Sequence, residues 1–105
     1  MLKKNFLLLA SLISLSVVSL QTYANSSVAI SAFAFAPISI EVPVGSLVIW
    51  TNQDGANHSV IGDAGSFASD TLTQGQSFSH TFNMAGTYKY HCGFHKYMTG
   101  TVVVK

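Results

Sequence analysis

Short runs of strand-forming residues, each closed by turn-forming residues, are the feature of this sequence that most constrains its fold. From residue 25 onward, Val, Ile, Thr, Phe and Tyr occur in runs of a few residues, separated by Gly, Pro, Asn and Asp. No stretch there has the period of a long amphipathic helix. Closely spaced strands of this kind are typical of all-β sandwiches and barrels. We therefore predict an all-β, Greek-key sandwich of about seven to eight strands.

Alternation between apolar and polar residues places individual strands. Ile38, Ile40 and Val42 alternate with polar residues or proline, which predicts a strand with one buried face. The next strand contains Trp50, an expected core residue, and a loop rich in turn formers follows it over 52–57. Further strands are predicted over 58–61, 77–82, 87–92 and 100–105.

The first strand region changes its alternation. Val28 and Ile30 share one parity, whereas Phe33 and Phe35 share the other. A shift of one residue moves every side chain of a strand to the opposite face. We therefore predict a bulge or bend near residues 31–32, which would allow both pairs to face the core.

The N-terminal residues have the order of a secretory signal peptide. Lys3 and Lys4 provide positive charge, Phe6–Leu20 is almost wholly apolar, and small residues then mark a cleavage position. We predict a signal peptide over residues 1–24, a single domain over residues 25–105, and export to the periplasm. A short membrane anchor is the alternative, but the apolar run is short for a span and no charged stop-transfer run follows it.

The mature domain is small and weakly charged. A chain this short has a thin core, and such domains often depend on a disulfide, a metal or a partner. Cys92 is the only cysteine, so an internal disulfide is excluded and a bound metal becomes the natural stabiliser. Three lysines stand against four acidic residues after residue 24, and no basic patch is present. Nucleic acid is therefore not an expected partner.

The stretch over 88–100 carries the candidate chemistry. In the predicted strand that ends at Cys92, the alternate residues Tyr88, Tyr90 and Cys92 share a face. Two aromatic rings mark that face as buried, so the cysteine should point inward. His91 lies on the opposite face and should point to solvent.

Two further donors follow the cysteine at intervals of three residues, so a tight loop can place them around one point. A thiolate, an imidazole and a thioether form a soft ligand set, which favours copper. An upstream histidine that opens a strand after a loop can supply a second imidazole. Two histidines and a cysteine with a weak axial methionine form the blue-copper arrangement. We predict one copper ion held by His58, Cys92, His95 and Met98.

Other interpretations of these residues compete with a copper site. Cys92 alone could be a buried core residue, although an unpaired thiol is unusual in an exported protein. A nucleophilic Cys92–His95 pair would indicate an enzyme, but no acid or oxyanion partner is apparent, and we predict no catalytic residue. Zinc accepts cysteine and histidine, but its weak preference for thioether leaves Met98 without a role.

A resemblance supports the copper interpretation. The segment AGTYKYHCGFHKYMTGTVVV over 85–104, with ISIEVPVGSLVIWTN and NHSV upstream, resembles the cupredoxin (type 1 blue copper) family, most closely its amicyanin and plastocyanin-like members. The resemblance covers essentially the whole mature chain and implies the same four ligands. It implies a periplasmic, monomeric carrier of single electrons that cycles between Cu(I) and Cu(II) and is not an enzyme. A copper chaperone or storage protein is the alternative, although this chain has no Met-rich or His-rich tract.

The resemblance also implies how partners bind. Redox partner proteins would dock at an apolar patch around His95, with Phe94 and Tyr97 as patch residues. The chain departs from the family at three positions. Phe94 and Lys96 stand where amicyanins carry prolines, so the loop should be less rigid. Ser59 stands where the family usually has asparagine, and we predict a shifted reduction potential because hydrogen bonds near the cysteine sulfur tune it.

Two remaining side chains receive structural roles. His80 shares parity with Phe78 and Phe82, so it should be partly buried at the edge of the core. A second metal site at His80 is a weaker alternative. Met84 lies in a turn and is expected to pack against its neighbours.

Overall fold

The computed structural model describes residues 25–105, which form eight β-strands and no helix. The strands are β1 (Asn25–Ser31), β2 (Ala34–Ala36), β3 (Ser39–Val42), β4 (Ser46–Asn52), β5 (Ile61–Gly62), β6 (Ser77–Phe82), β7 (Gly86–His91) and β8 (Thr99–Val104). They form two four-stranded sheets, in the orders β2-β1-β4-β6 and β3-β8-β7-β5. The predicted all-β fold is confirmed. The predicted signal peptide lies outside the described residues.

Each sheet contains one parallel pair of strands, and its other strand pairs are antiparallel. β1 pairs with β4 and β3 pairs with β8 in parallel, whereas the other pairs are antiparallel. Within residues 25–105 there is no helix of the length and apolar character needed to cross a membrane.

The core lies between the two sheets, where alternate residues of each strand point inward. Trp50 is fully buried at its centre, as predicted. Its ring lies 5.4 Å from that of Tyr90 and 5.7 Å from that of Phe78, measured between ring centroids. The buried apolar residues are Val28, Ile30, Phe35, Val42, Val48, Trp50, Val60, Phe67, Leu72, Phe82, Tyr90, Cys92, Met98, Val102 and Val104.

The change of alternation in the first strand region has a different cause from the one predicted. β1 and β2 form a hairpin in which Ile30 pairs with Phe35, so a two-residue turn at Ala32 and Phe33 reverses the chain where a bulge or bend was expected. Both turn residues have positive φ, 52° and 57°. A left-handed conformation costs a residue other than glycine roughly 1–2 kcal/mol, so contacts from elsewhere must hold this turn in place. Phe33 consequently lies outside the core and is partly exposed.

Candidate metal centre

The loop that carries the upstream histidine is organised by a buried asparagine at the end of β4. The Nδ2 group of Asn52 donates hydrogen bonds to the carbonyl oxygens of Ala56 and Leu72, each at 2.9 Å. Its Oδ1 accepts one from the backbone N–H of Asp54. The loop then leads to His58, whose backbone bonds to Leu72 in both directions, at 3.1 and 2.7 Å. His58 therefore sits on an isolated bridge and does not open a strand as predicted; β5 begins at residue 61.

The other donors lie in the connection between β7 and β8. Cys92 follows the last residue of β7 and is fully buried, as its parity predicts. Its backbone N–H donates to the carbonyl of Met98 at 3.0 Å, and the N–H of Met98 donates to the carbonyl of His95 at 2.9 Å. These bonds close the loop into one compact turn around the thiol.

Three of the four predicted ligands converge. The Sγ atom of Cys92 lies 3.7 Å from Nδ1 of His58 and 3.8 Å from Nδ1 of His95. The candidate donor atoms of all three residues lie within 4.8 Å of one another. His58 and Cys92 are fully buried and His95 is partly exposed.

Met98, the predicted axial ligand, is buried in the same loop, with 2% of its surface exposed. The structure places its backbone between those of Cys92 and His95 through the two hydrogen bonds above. Its role as a ligand stays a prediction.

The thiol is braced by the residue after the upstream histidine. The backbone N–H of Ser59 donates to Sγ of Cys92 at 3.4 Å, and its hydroxyl accepts a hydrogen bond from the N–H of Gly93 at 2.9 Å. A Cβ added at Gly93 would lie 2.8 Å from that hydroxyl, so any larger residue would force the Ser59 side chain to move. Ser59 thus ties the loop of His58 to the loop of Cys92.

An aspartate holds the other nitrogen of the upstream histidine. Nε2 of His58 lies 2.9 Å from Oδ2 of Asp54. An ionised carboxylate only accepts hydrogen bonds, so Nε2 carries the hydrogen; in the neutral imidazole this leaves the lone pair on Nδ1, the atom that faces the thiol. The backbone N–H of Phe33 lowers the pKa of Asp54, and the N–H of Ala32 and the His58 imidazole lower it further, against desolvation, which raises it.

Sequence reasoning missed Asp54. Its only signal in the sequence is a carboxylate four residues before the predicted ligand, in a loop of turn formers.

The surface around the partly exposed His95 is aromatic. Phe94 and Tyr97 are exposed, and their ring centroids lie 6.5 and 6.0 Å from that of His95. The ring of Phe33 stands edge-on to both His58 and His95, with centroid distances of 5.1 Å. Phe33 was not predicted to be near the site.

The remaining histidines lie outside the cluster. His91 is half-buried on the other face of β7, and its Nδ1 lies 2.6 Å from Oδ1 of Asp63. His80 is partly buried as predicted, with its ring stacked 5.0 Å from that of Phe67, and burial lowers its pKa. The prediction for Met84 is wrong: the residue lies in the turn between β6 and β7 and is 72% exposed.

The donor set fits copper. Two imidazole nitrogens that face a buried thiol, with a thioether in the same loop, form a soft set, and soft sulfur ligands favour copper over hard cations. A two-sheet Greek-key sandwich with a buried His-Cys-His cluster at one end defines a type 1 copper protein, and the cofactor is one copper ion.

The chain belongs to the family of copper binding proteins described as the plastocyanin/azurin family, whose sequence model matches residues 22–105. It is 38% identical to amicyanin from Paracoccus denitrificans over 72 residues, which cover 63% of this chain and 54% of that protein. The aligned segment thus spans about half the length of this relative. It is 31% identical to plastocyanin from Scenedesmus fuscus over 87 residues, 70% of this chain and 89% of that one.

Among solved structures, the chain is similar to a novel purple cupredoxin from Nitrosopumilus maritimus. The TM-score is 0.71 at 33% identity, over 76% of this chain and 99% of that one. The resemblance noted in the sequence is therefore confirmed at the level of the family.

Proposed function

We propose that this protein is an exported carrier of single electrons that uses one copper ion held by His58, Cys92, His95 and Met98. The convergence of two Nδ1 atoms on the Cys92 thiol, at 3.7 and 3.8 Å, is the observation that carries the proposal. Bound copper would supply a one-electron couple between Cu(I) and Cu(II).

The surroundings of the ligands keep the donor atoms in place. Asp54 fixes the ring of His58, the N–H of Ser59 fixes the thiol of Cys92, and backbone bonds close the loop that carries the other two donors. The two oxidation states prefer different ligand geometries when unconstrained. A ligand set that moves little when an electron arrives or leaves therefore lowers the barrier to transfer.

Electrons would enter and leave through the edge of His95. It is the one partly exposed side chain among the four proposed ligands, and exposed aromatic rings surround it. Exposed apolar patches mark interaction sites, so we assign redox-partner docking to Phe94, Tyr97 and Phe33. Lys96 at the rim favours a partner with acidic groups beside its own docking site.

Two other functions fit the geometry less well. A nucleophilic enzyme needs substrate access to the thiol, whereas Cys92 has no exposed surface. A chaperone or store must release its metal, whereas hydrogen bonds to the side chains of His58 and Cys92 and a backbone bond that closes the loop of His95 favour retention here. We therefore propose a non-enzymatic carrier.

The proposal is tested by adding Cu(II) to the chain from residue 25 and recording its visible spectrum. We expect an intense blue thiolate-to-copper band that disappears reversibly with a mild reductant. The Cys92→Ala variant should lose the band and His91→Ala should keep it, because His91 faces away from the cluster. A colourless protein that holds zinc tightly would contradict the proposal.

A competition with a copper chelator separates a carrier from a store. A carrier should exchange electrons with a small redox dye faster than it loses copper to the chelator, and the reverse order would favour a store. Expression of the full chain followed by cell fractionation tests export. We expect the mature form in the periplasmic fraction, with the mass of a chain that begins near residue 25.

A further inference from the structure

Asp54 is the hub of a network that joins two parts of the chain distant in sequence. Its Oδ1 accepts the backbone N–H of Ala32 at 2.8 Å, and its Oδ2 accepts that of Phe33 at 2.9 Å. Oδ2 also accepts the Nε2–H of His58 at 2.9 Å. The loop side of this network is fixed, because Oδ1 of Asn52 accepts the N–H of Asp54 itself.

This network explains why the turn between β1 and β2 holds its conformation. Two successive residues at positive φ, neither of them glycine, point their N–H groups to the same side. Paired N–H groups of this kind form a concave anion site. The side chain of Asp54, only 15% exposed, supplies the anion.

This turn also positions the ring of Phe33 over the proposed copper site. Phe33 stands edge-on to His58 and His95, at 5.1 Å from each. The Asp54 carboxylate thus acts on His58 in two ways. It accepts the hydrogen bond from Nε2, and it holds the turn that places Phe33 edge-on against the same ring. No other ligand in the described cluster has a carboxylate partner.

We propose that Asp54 is a positioning residue that clamps the Ala32–Phe33 turn onto His58 and thereby sets the relative affinity of the site for Cu(II) and Cu(I). The role in electron transfer rests on the proposed carrier function; the clamp itself does not. A carboxylate bonded to a ligating imidazole fixes its tautomer and raises its basicity, and loss of such a partner typically costs 10–100-fold in metal affinity. A more basic imidazole favours the more highly charged ion.

The test compares Asp54→Asn with Asp63→Asn. Asp63 is a matched control, since it also bonds to a histidine at 2.6 Å and loses the same charge, but His91 lies outside the cluster. In the copper-loaded protein, we expect Asp54→Asn to weaken Cu(II) binding about tenfold relative to Cu(I), which raises the potential by about 59 mV. The control should move it much less. Equal shifts in the two variants would overturn the proposal.

A second measurement uses the copper-free protein. In the wild-type chain, nitrogen-15 NMR should show His58 with its hydrogen on Nε2, and the amides of Ala32 and Phe33 should exchange with solvent at least tenfold more slowly than in Asp54→Asn. Rapid exchange of both amides in the wild type would show that no clamp exists. If the copper-loaded protein showed no blue band while these amides stayed protected, the carrier function would fail and the clamp would stand.

Discussion

Replacement of Gly100 by alanine tests the packing that supports the end of β7. Gly100 pairs directly with Tyr90 across the two strands, and the tyrosine ring occupies the space into which a Cβ would project. A Cβ at this position would lie 2.3 Å from both Cζ and Oη of Tyr90 and 2.8 Å from Cε2. Ordinary contact distances begin near 3.4 Å, so the ring or the strand would have to move by about 1 Å.

The tyrosine ring has no free space into which it can move. Tyr90 is 1% exposed, and its ring is held edge-on by Phe35 at 4.8 Å and by Trp50 at 5.4 Å. Overpacking of a filled core costs typically 1–3 kcal/mol and occasionally more, and this rigid contact places Gly100→Ala near the upper end, at about 3 kcal/mol. For a domain of this size that corresponds to a fall in Tm of roughly 12–24 °C.

Urea and thermal unfolding of the copper-free protein measure this loss. Gly55→Ala is the control, because an added Cβ there meets nothing within 4 Å; we expect a change within about 0.5 kcal/mol. In the double variant Gly100→Ala with Tyr90→Leu, the smaller leucine leaves space for the new methyl group. The double variant should therefore lose less free energy of unfolding than the sum of the losses in the two single variants. A Gly100→Ala variant as stable as the control would refute this description of the core.

Three further predictions concern single side chains. Ser59→Ala removes the acceptor of the Gly93 N–H, so we expect about 1–2 kcal/mol of destabilisation in urea; Ser59→Asn should shift the reduction potential, and an unchanged value would defeat that expectation. Ala32→Gly relieves a positive φ and should stabilise the copper-free protein by about 1 kcal/mol, whereas Ala34→Gly in β2 should destabilise it. Burial lowers the pKa of His80 below its ordinary 6.5, so the unfolded chain takes up the proton first as the pH falls. The free energy of unfolding should therefore keep its full value above pH 6.5 and fall below that pH. His80→Gln should flatten the plot of this free energy against pH between pH 7.5 and 5, and equal slopes in the two proteins would contradict the assignment.

The C-terminal part of the site was predictable because its determinants are local. Cys92, His95 and Met98 lie within one short loop, so spacing alone restricts how far apart their side chains can be. The parity of β7 likewise predicts a buried Cys92, since alternation along a strand is a local property. The role of Met84 was mistaken because whether a turn points toward or away from a sandwich depends on the sheets on either side of it.

What surrounds these donors could not be predicted in the same way. Asp54 contacts residues 21 and 22 positions earlier in the chain, and Phe33 meets histidines from two other segments. Such contacts depend on the parallel pairing of β1 with β4, which brings the first hairpin beside the loop after β4. No periodicity in the sequence encodes that pairing.

The sequence by itself determined the chemistry of this protein: an all-β chain with a soft donor set in one C-terminal loop and a second imidazole upstream. The tertiary structure alone decided the environment of that chemistry. It set which nitrogen of His58 faces the thiol, which carboxylate bonds to the other nitrogen, and which ring packs against both His58 and His95. The physical reason is that side-chain types and local spacing are written along the chain, whereas hydrogen-bond partners are chosen only when distant strands pair.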